Sequence, residues 1–149
     1  MTTIVYDHKN KQIAVDSRVS RDGVICTDEG VKFLHDDSGV WFFCGKNCDK
    51  ALLVEYFEGK DLELLPEAWA IYAKNNGEVY LRSVNDGRVP EESLTEFSEA
   101  IGSGEPFALA ALDHGKSAKE AVEYAMTRDT GTGGKVHVFD VGAMEFLDD

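Results

Sequence analysis

Short apolar runs and polar turns alternate along the first part of the chain, a pattern that is typical of β-strands. The polar segment 7–11 separates the first two runs in the manner of a hairpin turn, and residues 36–39 separate a later pair. The pattern predicts strands over residues 2–6, 12–16, 24–26, 31–34 and 40–44.

The spacing of apolar residues then changes to one that fits a helix. Residues 47–57 have this helical period and are followed by Gly59, a common helix terminator. The segment 75–77 (Asn-Asn-Gly) marks a second hairpin. Ser117 and Glu120 have the spacing of a capping box at the start of a helix. The remaining predictions are strands over 68–73, 78–84, 97–101 and 135–141, a loop over 85–92, and helices over 107–113 and 118–128.

The order of these elements predicts an α+β fold. Runs of strands separated by runs of helices favour antiparallel sheets covered by helices, with two sheets between helical layers as one arrangement. No low-complexity linker and no internal repeat divides the 149 residues, so we predict a single domain over 1–149.

The composition excludes several classes of binding partner and site. The chain carries 28 Asp and Glu against 15 Lys and Arg, a net charge of −13, which would repel nucleic acids and anionic membranes. With no membrane-length apolar run and no signal pattern, a cytoplasmic location is expected. Three cysteines without a C-x-x-C motif and four scattered histidines predict neither a disulfide framework nor a metal site.

The amino terminus carries the first candidate for chemistry. If Met1 is removed, Thr2 presents a hydroxyl nucleophile and a free α-amino group on one residue. An α-amino group titrates near ~7.7–8.0, so it can accept a proton at neutral pH. The alternative is a start methionine followed by an ordinary strand residue.

Four further segments carry polar groups in or beside apolar or glycine-rich surroundings. Each of the four also has an ordinary structural interpretation. In the order given below, these are a surface ion pair, a lysine whose stem lies along apolar surface, a glycine turn and a helix end. The segments are Asp16 with Arg18 after a strand, Lys32 in a short apolar run, Gly102-Ser103-Gly104, and Arg128-Asp129-Thr130-Gly131-Thr132-Gly133-Gly134.

In combination and order, these segments resemble the proteasome β-subunit and HslV-type family of N-terminal threonine peptidases. Residues 2–5 (Thr-Thr-Ile-Val) resemble the mature start of the HslV-type protease, and 128–134 resemble the proteasome motif Arg-Asp-x-x-Ser-Gly-Gly, with Thr132 replacing the serine. The resemblance spans residue 2 to about residue 141. It implies an Ntn-hydrolase fold, a four-layer αββα sandwich of two antiparallel sheets between helices.

The resemblance also implies a role for each residue. The hydroxyl of Thr2 would attack a peptide carbonyl, Lys32 would lower its pKa, and Asp16 would hold that lysine. Gly45 N–H would stabilise the oxyanion. The other implied residues are Ser103, Asp129 and Thr132 around the α-amino group, and Val19, Val31 and Lys46 for substrate binding.

A protein or peptide substrate, a homo-oligomer and an unfolding ATPase partner are implied, with no metal or other cofactor. The family usually has a second helix after the one at residues 47–57, but the segment 61–66 is too short for it. This puts the six- or seven-membered double ring that is typical of the family in question. The short chain would suit a bacterial or bacteriophage relative. Two alternatives remain open: a small-molecule or single-site amide hydrolase of the same fold, and a catalytically silent proteasome-like scaffold.

Overall fold

A computed structural model describes residues 1–84 and 90–147 and contains short strands with three α-helices. The strands are β1 (Thr3–Asp7), β2 (Gln12–Val15), β3 (Val19–Arg21), β4 (Val24–Thr27), β5 (Phe33–His35), β6 (Gly39–Gly45), β7 (Ala68–Lys74), β8 (Val79–Ser83), β9 (Glu91–Ser93), β10 (Glu99–Gly102), β11 (His137–Asp140) and β12 (Glu145–Phe146). The helices are a 3₁₀ turn (Asn47–Asp49), α1 (Lys50–Phe57), α2 (Glu105–Asp113) and α3 (Ala118–Met126).

Two five-stranded antiparallel sheets form the centre of the molecule. The first has the order β10-β1-β2-β11-β12 and the second the order β5-β6-β7-β8-β9, while β3 and β4 form a separate two-stranded ribbon. In the first sheet Thr3 lies opposite Gly102, and Ile4 opposite Val15. This register brings the chain start, the end of β2 and the end of β10 to one edge, where the candidate site lies.

Alternation along the strands explains how the sheets stack. Successive side chains of a strand point to opposite faces. Ile4 and Ile13 therefore pack in the core between the two sheets, against Phe42 of the second sheet. Val5 and Ala14 point the other way, into the cluster beneath α2 and α3. Both faces of the first sheet are buried, which accounts for its apolar strands.

Helices cover both outer faces. Many of the side chains by which α2 and α3 pack on the first sheet are small, such as Ala108 and Ala121, and let the helices approach closely. Ser117 and Glu120 form the predicted capping box at the start of α3. Helix α1 packs through Leu53 on the outer face of the second sheet. The layers are therefore helix, sheet, sheet, helix, and the predicted αββα sandwich is confirmed.

The sequence pattern was wrong at several element boundaries. The predicted helix 47–57 begins as a 3₁₀ turn before α1, and the predicted helix 118–128 ends at Met126. Strands β3 and β12 were missed because they are very short. Residues 91 and 92 of the predicted loop 85–92 belong to β9, and residues 85–89 lie outside the described residues.

The second sheet carries less helical cover than the first. After α1 no helix is present between residues 58 and 67, all of which the structure describes, in agreement with the short segment predicted there. Within residues 1–84 and 90–147, no helix is long and apolar enough to cross a membrane.

Candidate active site

A buried ion pair lies beside the chain start. Asp16 follows β2 and is fully buried, Lys32 precedes β5 and is 3% exposed, and Nζ of Lys32 lies 2.8 Å from Oδ1 of Asp16. The carboxylate also accepts hydrogen bonds from the backbone N–H groups of Thr3 at 3.1 Å and Gly133 at 3.0 Å. The Asp16 carboxylate therefore contacts β1, the loop at Gly133 and Lys32 at once.

The ammonium of Lys32 also reaches the peptide bond that precedes Thr2. Its Nζ donates to the carbonyl oxygen of Met1 at 3.0 Å. Burial lowers the pKa of Lys32 below its usual value, and the charge of Asp16 opposes that change. A buried cation is thus held within hydrogen-bonding distance of the Met1–Thr2 linkage.

A second polar cluster also contacts residues 2 and 3. Ser103 Oγ lies 2.5 Å from Oδ2 of Asp129, and Thr132 Oγ1 donates to the same oxygen at 2.6 Å. Thr132 Oγ1 is also 2.7 Å from Oγ1 of Thr3, and Ser103 Oγ is 3.4 Å from the Thr2 carbonyl oxygen. Two hydroxyl side chains and a carboxylate therefore form one hydrogen-bonded cluster that contacts the Thr2 carbonyl and the Thr3 hydroxyl.

Hydrogen bonds keep the carboxylate of this cluster ionised. Partial burial would raise the pKa of Asp129, but hydrogen bonds from Ser103, Thr132 and the Gly131 N–H outweigh it and lower the pKa below its usual value. An ionised carboxylate next to hydroxyl groups can accept and relay protons.

Charges from both clusters act on the terminal ammonium. Its pKa is lowered from the usual value, chiefly by burial and next by the charge of Lys32, while Asp16 and Asp129 oppose the change. In the structure this ammonium belongs to Met1. An amine placed here loses its proton more readily than one in water, so it is better able to act as a general base.

Two strands that reach the site, β6 and β10, end in glycines with a positive φ. Gly102, with a φ of +103°, faces the Thr2 carbonyl oxygen so closely that a Cβ would lie 1.9 Å from it. Gly45 ends β6 with a φ of +99°, and a Cβ there would lie 2.6 Å from the carbonyl oxygen of Glu67. Other residues are strained in this backbone conformation, so both positions require glycine.

Two cavities meet at Thr2. The larger, about 730 Å³, is lined by residues that include Trp69, Ile101 and Ser103. The smaller, about 410 Å³, is lined by residues that include Lys32 and Val19. Thr2, Gly45 and two other residues line both, so a bound chain passing Thr2 could occupy a cavity on each side.

Solved structures share this architecture over nearly the whole chain. A eukaryotic HslV from Trypanosoma brucei matches it with a TM-score of 0.68 at 20% identity, over 93% of this chain and 99% of that one. Thiobacillus denitrificans BPH in complex with epoxomicin matches with a TM-score of 0.70 at 16% identity, over 93% of this chain and 97% of BPH. A second BPH structure gives 0.68 at 16%, over 93% and 96%.

This chain has the HslV/proteasome-type fold. No family model matches the sequence, and no curated protein matches it. At such low identity the likeness establishes the fold alone, so the chemistry of the site has to be argued from its own residues.

The HslV-type fold brings together most of the residues that the sequence indicated. Thr2, Asp16 and Lys32 meet at one edge of the first sheet, with Gly45 lining both adjoining cavities. The second cluster of Ser103, Asp129 and Thr132 is contiguous through hydrogen bonds.

The three predicted substrate-binding residues differ in placement. Val19 lines the smaller cavity, and Lys46 lines both while pairing with Glu67 at 2.6 Å. Val31 is 68% exposed and lies outside the lining of both cavities. The structure therefore does not bring Val31 to the site.

Sequence reasoning missed two residues of the site. Thr3 contributes its N–H to Asp16 and its hydroxyl to Thr132, and Lys50, at the start of α1, lines the smaller cavity. The repeated threonine of residues 2 and 3 was a possible signal for the first. For Lys50 no signal existed, because its position depends on how α1 packs. Among the described residues, no group of three His, Cys, Asp or Glu is placed to hold a metal ion.

Proposed function

We propose that this protein is a threonine-type endopeptidase whose nucleophile is Thr2 after removal of Met1. The observation that carries the proposal is the buried Asp16–Lys32 pair, whose ammonium donates to the carbonyl oxygen immediately before Thr2. Burying two charges costs several kcal/mol of desolvation, and ion pairs are often replaceable by apolar residues without loss of stability. A pair retained at this position therefore supports chemistry rather than folding.

The proposed reaction begins with attack of the Thr2 hydroxyl on a peptide carbonyl. The neighbouring ammonium of Lys32 favours the alkoxide, and the freed α-amino group accepts the hydroxyl proton and passes it to the leaving amine. Ser103 and Asp129 orient that amine, with Thr132 supporting the carboxylate. The N–H of Gly45, at the junction of the cavities, stabilises the oxyanion. Water then releases the acyl group from the Thr2 oxygen.

The test compares proteins that differ at the first residue. One form begins at Thr2 after release from a cleavable fusion, and the other keeps a short non-cleavable extension before Thr2. We expect the Thr2-start form to hydrolyse fluorogenic peptides and the extended form to be inert, because its base is tied up in a peptide bond. Thr2→Ala in the Thr2-start form is the matched control, and Thr2→Ser should retain part of the activity.

A second measurement reports directly on the nucleophile. Epoxomicin is bound in one of the BPH structures. We expect it to add to the intact mass of the Thr2-start protein and not to that of Thr2→Ala. Full peptidase activity with the extension in place, or with Thr2→Ala, would contradict the proposed mechanism.

The proposed enzyme works as a homo-oligomer in the cytoplasm, where enclosure protects other proteins from it. Support comes from α1 and the segment after it: Tyr56 and Phe57 are only half-buried, and Leu64 and Leu65 are 79% and 49% exposed. Apolar surface of this kind marks interaction sites. Light scattering at micromolar concentration tests assembly. A single species at the monomer mass of 16.4 kDa, with full activity, would contradict assembly into a ring. A partner ATPase that unfolds substrates belongs to the same proposal.

A further inference from the structure

The smaller cavity beside Thr2 has an unusual charge for this protein. The chain has a net charge of −13, yet no Asp or Glu belongs to the lining of this cavity. Five of the fifteen Lys and Arg residues of the chain do belong to it, namely Arg18, Arg21, Lys32, Lys46 and Lys50. The larger cavity differs, because Glu67 and Glu105 line it together with a single lysine.

Three of the five cations already have carboxylate partners. Lys32 pairs with Asp16, and the pairs Arg18–Asp28 and Lys46–Glu67 lie at 2.8 Å and 2.6 Å. Over the residues that the structure describes, Lys50 and Arg21 form no ion pair. These two charges are therefore available to a ligand.

Lys50 is the more informative of the two. Its side chain is half-buried, and burial and the charge of Lys32 lower its pKa, although the charge of Asp16, which lies outside the cavity lining, opposes the change. A partly desolvated cation next to a second cation is unfavourable unless an anion compensates it. No residue that lines the cavity supplies that anion.

We propose that this cavity binds an acidic side chain of the substrate, so that the enzyme prefers peptides with Glu or Asp next to the scissile bond. Lys50 is the main contact for the carboxylate, and Arg21, exposed on β3, adds to it from the ribbon. The inference rests on the proposed function, since it assigns a substrate class to the same site.

A different role for Lys50 would leave a different signature. If the lysine acted only on the electrostatics of Lys32 and the amino terminus, replacing it would change hydrolysis of every peptide by a similar factor. Recognition of a carboxylate changes the ratio between an acidic peptide and its isosteric amide. The ratio of kcat/KM for Glu and Gln peptides therefore separates the two roles.

The experiment uses the Thr2-start protein and two series of peptides. One series varies the residue before the scissile bond and the other the residue after it, through Glu, Gln, Leu and Arg. We expect Glu to exceed Gln by about tenfold or more in one series, as charge-assisted hydrogen bonds do elsewhere. Equal rates for Glu and Gln in both series would overturn the proposal.

Variants then assign the preference to a residue. Lys50→Gln should reduce the Glu-to-Gln ratio to about one, and Lys50→Glu should favour Arg instead. Lys119→Gln removes the same charge from an exposed position of α3 and should keep the ratio. An unchanged ratio in Lys50→Gln would also overturn the proposal.

Binding separates this proposal from the peptidase proposal. If the Thr2-start protein hydrolyses no peptide, anisotropy of fluorescent tetrapeptides that end in Glu or Gln still measures the cavity. Tighter binding of the Glu peptide, lost in Lys50→Gln, would support the acidic site while the catalytic proposal fails. Equal binding of both peptides would overturn the acidic site as well.

Discussion

Two ion pairs next to the candidate nucleophile differ sharply in their surroundings. Asp16 and Lys32 are 0% and 3% exposed, and their carboxylate also accepts backbone hydrogen bonds. The side chains of Arg18 and Asp28 are 22% and 44% exposed, and they meet through two hydrogen bonds of 2.8 Å and 3.1 Å. Asp16 and Arg18 are only two residues apart, so the difference comes from burial rather than from position along the chain.

The comparison shows which pair has to be explained by function. Exposed ion pairs are screened by solvent and contribute little to stability, so Arg18–Asp28 needs no further reason than to connect β2 to the ribbon. A buried pair costs desolvation of both charges and becomes strongly unfavourable when one partner is removed. For Asp16–Lys32 that cost is incurred beside Thr2, where the proposed reaction uses the ammonium.

The largest expected effect is on stability. Asp16→Asn leaves the Lys32 ammonium buried without its counter-charge, and we expect the free energy of unfolding to fall by about 3–5 kcal/mol. Asp28→Asn, the same change in the exposed pair, should lower it much less. Urea unfolding followed by circular dichroism measures both. Similar losses in the two variants would mean that burial does not distinguish the pairs.

The next effect concerns catalysis. We expect Lys32→Met and Asp16→Asn each to lower kcat/KM of the Thr2-start protein by at least ~100-fold. The double variant should be hardly worse than either single one, because the two residues act as one unit. Measurements belong at a temperature where circular dichroism shows every variant folded. Small and additive losses would indicate an ordinary structural pair and would contradict the proposed role of Lys32.

The buried pair also shows what sequence could predict here. Apolar runs between polar turns predicted β1 and β2, and the runs are apolar throughout because both faces of that sheet are buried. The resemblance predicted that Asp16 and Lys32 lie beside Thr2. The ribbon was only partly predictable: β3 has three residues, none of them buried, so no core face imposes a pattern. The position of Lys50 depends on the packing of α1, which no local pattern encodes.

A third expected effect is a difference in pH dependence. Burial lowers the pKa of Lys32 in the folded protein, so between that pKa and the value of about 10.4 for an unfolded chain, the unfolded state binds more protons. The free energy of unfolding should therefore rise with pH in this window for the wild type, relative to Lys32→Met. Activity should fall in the same window as the ammonium is lost.

The exposed pair supplies the control for this pH effect. Its hydrogen bond to Asp28 raises the pKa of Arg18, so the guanidinium stays charged throughout. Arg18→Gln should consequently follow the wild type as pH is raised, apart from a constant offset. A pH dependence in Lys32→Met equal to that of the wild type would assign the titration to another group.

The smallest expected effect is that of the exposed pair on catalysis. Arg18 connects the ribbon to the loop of the second cluster, since it also donates to the Thr130 carbonyl oxygen at 3.2 Å and packs against Gly133. Asp129 and Thr132 lie in that loop, but their own hydrogen bonds to Ser103 and Thr3 hold them without Arg18.

We therefore expect Arg18→Gln and Asp28→Asn each to change kcat/KM by no more than about fivefold. The double variant should match the singles, because either change already removes the same pair. A loss in Arg18→Gln as large as that in Lys32→Met would mean that the exposed pair, and not the cluster's own hydrogen bonds, places Asp129 for the reaction.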